Sequence, residues 1–311
     1  MPELRTDPIS GRLVIIAPER AARPDTFRVP PRPPPASTGS CPFCAGNESM
    51  TPPEIARIGA GAPDTPGWRV RVVPNLYPIV GHPTDGAPES VAGAHEVVVL
   101  SPEHAGHLGR LGEERAVDVF TAIRDRVGHL LDSGLQHAQA FVNQGRAAGS
   151  SIDHPHAQIV GLDFVPPAVH AEQDRFLAAG RDLVAEALAV HRSSDLSVAD
   201  GPAVAWCPPA SSSPFEILVA HRSTRARFDQ APDTEVAAVA RASREALARV
   251  NAVLGDVDYN LTIHTAPRDA EPGGHWYVRV APRISIVAGF EQSTGVFVNV
   301  VPPKVAAGAA P

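Results

Sequence analysis

Apolar and polar residues alternate along the chain in two similar series, each of which predicts a strand, a long helix and two further strands. In the first series, a strand at residues 96–100 precedes a helix from about Glu113 to Gly134, whose apolar residues recur at helical spacing. Glycine is favoured in the left-handed position just past a helix end, so Gly134 marks where this helix stops. Strands at residues 138–143 and 154–162 follow, separated by a turn rich in glycine and serine.

The second series has the same order of elements: a strand at residues 216–220, a helix at 234–255, and strands at 259–264 and 275–281. The glycine that ends the helix and the histidine that heads the last strand both recur after 121 positions. Two strand–helix–strand segments can look alike by chance, but these matched offsets favour an internal repeat. We predict an α+β protein of two pseudo-repeated halves, residues 1–165 and 166–311, each an antiparallel sheet with a long helix.

Two segments lie outside the repeat. The segment at residues 172–200 is predicted to contain a helix from Phe176 to about Val190, which connects the halves. The last residues, 305–311, are mostly small, and we expect them to form a frayed tail.

Composition and charge exclude several classes of function. With 311 residues, 43% hydrophobic and 20% charged, the chain is long enough for one large core or two domains. A net charge of −7 argues against nucleic acid as a partner, because proteins that bind it usually carry a basic excess. Apolar runs are far shorter than the roughly 18 residues of a membrane span, and residues 1–4 do not open a signal peptide. We therefore expect small-molecule substrates, no membrane partner and a cytoplasmic location.

Two cysteines, Cys41 and Cys44, predict a metal site. Their spacing lets one tight turn supply two thiolate ligands of a tetrahedral zinc ion, and in a reducing compartment it favours a metal over a disulfide. Of the many histidines, we choose His104, directly after a strand, and His154, heading another, as the remaining ligands. Alternatively, the cysteines are small buried residues, or His154 and His156 share a catalytic metal. A glutamine where such a catalytic site would use a carboxylate argues against the second alternative.

The segment at residues 149–158, Gly-Ser-Ser-Ile-Asp-His-Pro-His-Ala-Gln, holds the densest chemistry in the chain. If a strand starts at His154, then His154, His156 and Gln158 lie on one face, because side chains alternate along a strand. A neutral histidine can attack phosphorus, and a glutamine can hydrogen-bond phosphoryl oxygens as charge develops on them. The alternative is that these histidines lie in a surface loop.

The turn before these residues suits an anion. Gly145, Gly149, Ser150 and Ser151 are small enough to let backbone N–H groups point at a phosphate. The chain has no Gly-Lys-Ser/Thr loop, which argues against a site of the kinase type.

Several motifs together resemble the galactose-1-phosphate uridylyltransferases of the histidine-triad superfamily and their relatives, the ADP-glucose phosphorylases. They run through nearly the whole chain, at residues 5–20, 71–78 and 141–145, and include Cys-Pro-Phe-Cys at 41–44, Ser-Pro-Glu-His at 101–104 and His-Pro-His-Ala-Gln at 154–158. The resemblance implies two histidine-triad-like halves, which agrees with the internal repeat. It also implies a homodimer.

The resemblance assigns roles to individual residues. The implied zinc ligands are Cys41, Cys44, His104 and His154. His156 is the implied nucleophile, and Gln158 supports the phosphoryl group. The implied nucleotide and phosphate contacts are Asn75, Asn143, Gly149 and Ser151, together with Ser150 from the turn. The implied sugar-phosphate contacts are Arg20, Arg23 and Glu291; a solvated surface pair is the alternative for the two arginines.

The sequence departs from the family pattern at several positions. Ala157 stands where the best-known uridylyltransferases have glycine. Some members bind a second metal through a carboxylate and three histidines; Glu172 and His264 match that site, but Arg279 and Ala281 do not, so we expect it to be absent. The second half has Tyr277 and Arg279 in place of His156 and Gln158, which predicts one active centre per chain.

The resemblance implies transfer of UMP between UDP-glucose and galactose 1-phosphate through a covalent nucleotidyl-His156 intermediate. An alternative uses the same intermediate with ADP-glucose and phosphate, or with a dinucleoside polyphosphate. A third possibility, of a different class, is a non-catalytic, zinc-stabilised nucleotide-binding module.

Overall fold

The computed structural model describes residues 1–22, 38–81, 91–104, 106–191, 196–271 and 273–309. The strands in this part of the chain are β1 Glu3–Thr6, β2 Leu13–Ile16, β3 Ala56–Gly59, β4 Trp68–Pro74, β5 Gly93–Val99, β6 His137–Gln144, β7 His156–Leu162, β8 Ser197–Ala199, β9 Ala203–Trp206, β10 Ile217–His221, β11 Tyr259–His264, β12 Tyr277–Pro282 and β13 Val296–Asn299. Its α-helices are α1 Glu113–Asp132, α2 Pro167–Ala179, α3 Leu183–His191, α4 Asp233–Leu254, α5 Gly289–Thr294 and α6 Pro303–Ala309.

Ten strands form one antiparallel sheet in the order β3-β4-β5-β7-β6-β11-β12-β10-β9-β8. The strand order is symmetric about the β6–β11 seam, which agrees with the predicted repeat. The antiparallel strands and the helices confirm the α+β fold class, but the two predicted sheets are joined, with Asn143 opposite Asn260 at the seam. A domain boundary near residue 165 stays a prediction. A smaller sheet has the order β1-β2-β13, and β13 runs parallel to β2.

The two faces of the large sheet differ in polarity. One face packs against α1 and α4, and its residues Val98, Val142, Ile159, Leu261 and Val278 are buried in the main core. Side chains alternate along each strand, so the residues between these lie on the opposite face. On that face the central strands carry mostly polar side chains: His156, Gln158, Asn143, Asn260, Thr262 and Arg279. The sheet therefore presents its polar chemistry on the side away from the long helices.

The start of β7 differs from the sequence prediction. The strand begins at His156, so His154 lies in the preceding turn. Pro155 has no N–H to donate to the ladder, although its carbonyl accepts a hydrogen bond from the N–H of Leu100 at 3.0 Å. The prediction that His154 shares a strand face with His156 and Gln158 is therefore wrong. The turn instead directs the two histidines to different contacts.

The predicted connecting helix is two helices. Gly180 has a φ of 62° and ends α2 in the left-handed conformation. Asp182 then caps α3 by accepting hydrogen bonds from the N–H groups of Val184 and Ala185, at 3.0 and 2.9 Å. The break was not predicted because the apolar spacing continues across it.

The expectation of a frayed tail is wrong for residues 305–309, and residues 310–311 lie outside the described residues. Residues 303–309 form α6, in which Ala306 and Ala307 are 3% and 5% exposed and join the main core. Small residues let the helix approach the rest of the core closely, so low bulk permits packing here.

Within the part of the chain that the structure describes, no helix has the length and apolar character needed to cross a bilayer.

Candidate active site and metal centre

Four predicted metal ligands converge from three separate segments of the chain. Cys41 and Cys44 lie in a tight turn, His104 follows β5, and His154 precedes β7. One potential ligand atom from each residue lies within 4.8 Å of all the others. Cys44 Sγ is 3.3 Å from His104 Nδ1 and 3.6 Å from His154 Nδ1, and Cys41 Sγ is also 3.6 Å from His154 Nδ1.

These separations fit a tetrahedral zinc ion. Bonds of about 2.3 Å to sulfur and 2.0 Å to nitrogen give tetrahedral sulfur-to-nitrogen edges of about 3.5 Å. Burial and the neighbouring Cys41 raise the pKa of the Cys44 thiol to about 11, so a thiolate here needs a nearby cation. The geometry and the donor set both suit a metal ion.

The second nitrogen of His154 fixes its tautomer. His154 Nε2 lies 2.7 Å from the carbonyl oxygen of Ser101, which can only accept, so this nitrogen carries the proton. Nδ1 is then unprotonated and faces the cysteines. Burial lowers the pKa of His154 to about 4, which keeps the imidazole neutral, as a metal ligand must be.

The second half contains a related arrangement without cysteines. His275, the repeat counterpart of His154, has Nε2 2.8 Å from the carbonyl oxygen of His221. Its Nδ1 lies 2.9 Å from Asp182 Oδ2. The corresponding Nδ1 of His154 faces the two cysteines instead. The helix-capping carboxylate of Asp182 thus takes the place that the cysteine pair holds in the first half. It ties α3 to the segment before β12 through a pair whose histidine side chain is fully buried.

We expect Asp182→Asn to lower the free energy of unfolding by about 3 kcal/mol at neutral pH, because the variant removes one charge of a buried pair. Burial raises the pKa of Asp182, but the hydrogen bond from His275 and the cap outweigh it, so the net pKa is lowered. The stabilisation is therefore present above the unfolded value of about 3.9 and is lost as pH falls through the lower folded pKa. Denaturant unfolding of the wild type and the variant over a pH series measures this difference.

Asp174→Asn is the matched control. Asp174 pairs with His170 at 3.0 Å, but its side chain is 60% exposed, so its removal should cost less than about 0.5 kcal/mol. Equal losses in the two variants would contradict a special role for the buried pair.

His156 has the geometry of a nucleophile. Its Nδ1 lies 2.8 Å from the carbonyl oxygen of His154, which makes Nδ1 the protonated nitrogen and leaves the lone pair on Nε2. Burial lowers the pKa of His156, so the neutral ring is favoured. The ring of Phe43, between the two cysteines, lies 5.4 Å from the ring of His156. The metal-ligand turn and the candidate nucleophile are therefore packed against each other.

Gln158 and Asn75 meet at a residue to which the sequence assigned no role. Gln158 Oε1 lies 2.9 Å from His95 Nε2, and the amide nitrogen of Asn75 lies 3.1 Å from the same ring nitrogen. His95 appeared in the sequence only as one of many histidines. The signal that could have singled it out is the pairing of β5 with β7, which places His95 on the face of Gln158.

In the turn before β7, four consecutive backbone N–H groups are used within the protein and do not supply the predicted anion cradle. The N–H groups of residues 147–150 already donate within the protein, to Asp258 Oδ2 at 2.8 Å and to carbonyl oxygens of Gly145 and Arg146 at 3.0–3.2 Å. Gly145, with a φ of 82°, lies so close to Asp258 that a Cβ atom would clash with its carboxylate. The N–H groups of Gly149 and Ser150 are thus committed to closing the turn. Phosphate contacts by side chains, including that of the exposed Ser151, stay a prediction.

Asn143 lies at the seam between the halves. Its Oδ1 accepts a hydrogen bond from the Asn260 amide at 2.7 Å, and the same amide donates to the carbonyl of Ala148 at 2.9 Å. Gly149 approaches the side chain of Asn143. Arg283 donates to Asn260 Oδ1. The seam therefore connects the predicted nucleotide contacts to the polar face of the second half.

Two of the predicted sugar-phosphate residues, Glu291 and Arg20, lie within the described part of the chain. Glu291 lines a cavity of about 270 Å³ with Asn260, Arg279 and Arg283, so it shares a cavity with the partner of Asn143. Arg20 is exposed in a short 3-10 helix, Pro18–Ala22, after β2. Arg23 lies outside the described residues. The roles of all three stay predictions.

The positions of the second metal site make other contacts. Glu172 Oε2 accepts a hydrogen bond from the hydroxyl of Tyr277 at 3.1 Å and lies 3.2 Å from His264 Nδ1. Arg279 forms an ion pair with Glu216 at 2.8 Å. Tyr277 and Arg279, which replace the reacting pair, thus have structural partners.

Known proteins resemble this chain along most of its length. A family model described as a domain of unknown function (DUF4921) matches residues 104–307. ADP-glucose phosphorylase of Arabidopsis thaliana is 33% identical over 97% of this chain and 90% of its own. Galactose-1-phosphate uridylyltransferase of Haemophilus influenzae is 25% identical over 88% of this chain and 81% of its own.

A solved structure agrees with the sequence comparison. The crystal structure of the A. thaliana ADP-glucose phosphorylase with bound ADP-glucose has a TM-score of 0.85 and 30% identity, covering 100% of this chain and 98% of that one. Sequence and fold together identify an enzyme of the nucleotidyltransferase type. The chain belongs to the galactose-1-phosphate uridylyltransferase family, in which ADP-glucose phosphorylase is a close relative.

Proposed function

We propose that this protein transfers a nucleoside monophosphate from a nucleotide sugar to a phosphate-bearing acceptor through a covalent intermediate on His156. The observation that carries the proposal is the 2.8 Å contact between His156 Nδ1 and the His154 carbonyl, which leaves Nε2 unprotonated for attack. A buried, neutral imidazole with a fixed tautomer is a competent nucleophile for phosphorus. A binding module would not need this arrangement.

The reaction takes place in two displacements. His156 Nε2 attacks the α-phosphorus, a nitrogen–phosphorus bond forms, and the bond to the sugar 1-phosphate breaks. The acceptor phosphate then attacks the same phosphorus and His156 leaves. Gln158, two residues along β7, would donate its amide N–H groups to the phosphoryl oxygens as negative charge develops.

Zinc, bound by Cys41, Cys44, His104 and His154, would have a structural role. When bound, it cross-links the turn that contains both cysteines to the segments that precede His156. The carbonyl of His154 orients the nucleophile, and Phe43 of the same turn contacts its ring. The protein's own residues thus hold the nucleophile in position.

Two donors fit this chemistry. The A. thaliana ADP-glucose phosphorylase, at 33% identity over nearly the whole chain, supports ADP-glucose as donor and inorganic phosphate as acceptor. The H. influenzae uridylyltransferase, at 25% identity, supports UDP-glucose and galactose 1-phosphate as a second candidate pair. We favour ADP-glucose because the more similar relative carries that name.

A homodimer is part of the proposal. Ile286 is 91% exposed, and Val287 and Phe290 near it are also exposed. These apolar side chains lie beside Glu291 in the C-terminal half, and a second copy of the chain would cover them. Apolar side chains grouped in this way are typical of an interface.

We expect the purified protein to become labelled when it is incubated with ADP-glucose carrying ³²P in its α-phosphate, without acceptor. Labelling by α-³²P-UDP-glucose should be slower, because the chain is more similar to the ADP-glucose enzyme. The amount of label that stays on the protein after denaturation, followed over the reaction time, gives the rate of the first displacement. Subsequent addition of phosphate should release labelled ADP.

The outcomes separate the candidates. Faster labelling by UDP-glucose, with release as UDP-galactose on addition of galactose 1-phosphate, would favour the uridylyltransferase reaction. If neither donor labels the protein, the covalent mechanism is wrong.

A further inference from the structure

His95 lies between the loop of residues 75–79, which contains the predicted nucleotide contact Asn75, and the predicted phosphoryl contact Gln158. It stands on β5, paired with β7, and on the same face as Val97, whose cross-strand partner is Gln158. Its side chain is buried, at 7% exposure. The residue therefore reaches Gln158 diagonally across two neighbouring strands.

The contacts of the ring define its tautomer. The backbone N–H of Ile79 lies 3.3 Å from His95 Nδ1, and because an N–H can only donate, Nδ1 accepts and is unprotonated. A neutral ring then carries its proton on Nε2. Burial lowers the pKa of His95, which agrees with the neutral form.

This tautomer sets the orientation of Gln158. The Nε2–H group donates to Gln158 Oε1 at 2.9 Å. A rotated amide would place its NH₂ group against another donor, so the carbonyl must face His95. Both amide N–H groups are then turned away from His95, as a donor to phosphoryl oxygens requires.

The same residue holds the loop that contains Asn75. The N–H of Asn75 donates to the carbonyl oxygen of His95 at 2.8 Å, and Ile79 donates to its ring. Asn75 Oδ1 accepts from the N–H of Tyr77 at 2.9 Å, and the Asn75 amide nitrogen lies 3.1 Å from His95 Nε2. Both ends of the segment from Asn75 to Ile79 are thus fixed on one histidine.

We propose that His95 is a positioning residue, which orients the Gln158 amide for phosphoryl transfer and links this orientation to the loop of residues 75–79. The inference rests on the proposed function, because it concerns the first displacement at His156. It adds a residue that does not itself touch the reacting atoms.

Two substitutions separate the two contacts of the ring. His95→Asn keeps an acceptor near the position of Nδ1 for Ile79 but removes the donor to Gln158. His95→Gln keeps an amide donor near the position of Nε2. We expect His95→Asn to slow single-turnover labelling roughly 10- to 100-fold with little change in nucleotide-sugar affinity, and His95→Gln to recover much of that loss.

Gln158→Ala provides the second test. This variant should lose about 100-fold or more in the labelling rate, and adding His95→Asn to it should cost little further, because the two residues act as one unit. Thermal unfolding of each variant checks that the fold is kept. His170→Asn, on the exposed face of α2, is the control and should label like the wild type.

The results distinguish this inference from the proposed function. Two outcomes would overturn the positioning role of His95 while leaving the nucleophile intact. In one, the fold-losses in labelling rate of the two single variants multiply in the double variant. In the other, His95→Asn labels at the wild-type rate. Absence of labelling in the wild type would overturn the proposed function itself. Nitrogen-15 NMR of the full chain provides a check independent of activity: the proton of His95 should be on Nε2, and a proton on Nδ1 would contradict the inference.

Discussion

His156→Asn should abolish formation of the nucleotidyl-enzyme, with a loss of at least about 10⁴-fold in the labelling rate. The asparagine amide can still donate toward the His154 carbonyl, as Nδ1 does in the wild type, so the local structure should be kept. The variant has no atom equivalent to Nε2, however, and the attack on phosphorus needs that lone pair. The loss therefore falls on chemistry rather than on folding.

Measuring the affinity for the nucleotide sugar distinguishes loss of the chemical step from loss of substrate binding. Isothermal titration of the variant with the nucleotide sugar, without acceptor, should give a dissociation constant within a few-fold of the wild-type value. His170→Asn is again the control, because it removes an exposed imidazole on α2. Covalent labelling of His156→Asn at the wild-type rate would show that another residue is the nucleophile. Tight binding without labelling in the wild type would favour a binding module.

Cys44→Ser should weaken zinc binding by at least about 100-fold, because it replaces a thiolate with a poor ligand. That factor corresponds to about 2.7 kcal/mol. The loss should lower the melting temperature by roughly 5 °C and slow labelling, since the turn that holds Phe43 against His156 is released. Metal analysis, a thermal melt and the labelling rate measure the three effects.

Cys207→Ser is the matched control for this variant. Cys207 is 1% exposed and lies outside the cluster of four ligands, and burial raises the pKa of its thiol to about 12. It therefore tests the removal of a buried thiol without the removal of a metal ligand. Its zinc content should equal that of the wild type. Full zinc occupancy in Cys44→Ser would contradict the ligand assignment.

The sequence alone predicted the elements whose signals are local. Strand β11 was predicted at residues 259–264 as observed, and the long helices were predicted within about two residues, because helical spacing and terminal glycines act over a few residues. The symmetric strand order agrees with the repeat that the offset of 121 positions suggested. Cys41, Cys44, His104 and His154, which the sequence proposed as metal ligands, lie together in the structure. Zinc binding by them stays a prediction.

Tertiary structure decided the contacts between residues far apart in the chain. The pairing of β6 with β11 joined two predicted sheets into one, and core packing ordered the C-terminal helix that small residues had made look frayed. Asp258 closed the turn before β7 by accepting a hydrogen bond from the N–H of Ala147, so this N–H group was used within the protein.

The candidate site shows the same division between local and long-range information. The sequence marked His156 and Gln158 but not His95, which is 63 positions from Gln158, nor the Asp182–His275 pair, 93 positions apart. Residue types and spacing specify what a short segment can do chemically. The orientation of the Gln158 amide depends on the neighbouring strand, and the contact of Asp182 with His275 depends on the helix that packs beside it. Hydrogen bonds act only at contact distance, so the sequence could not reveal either contact.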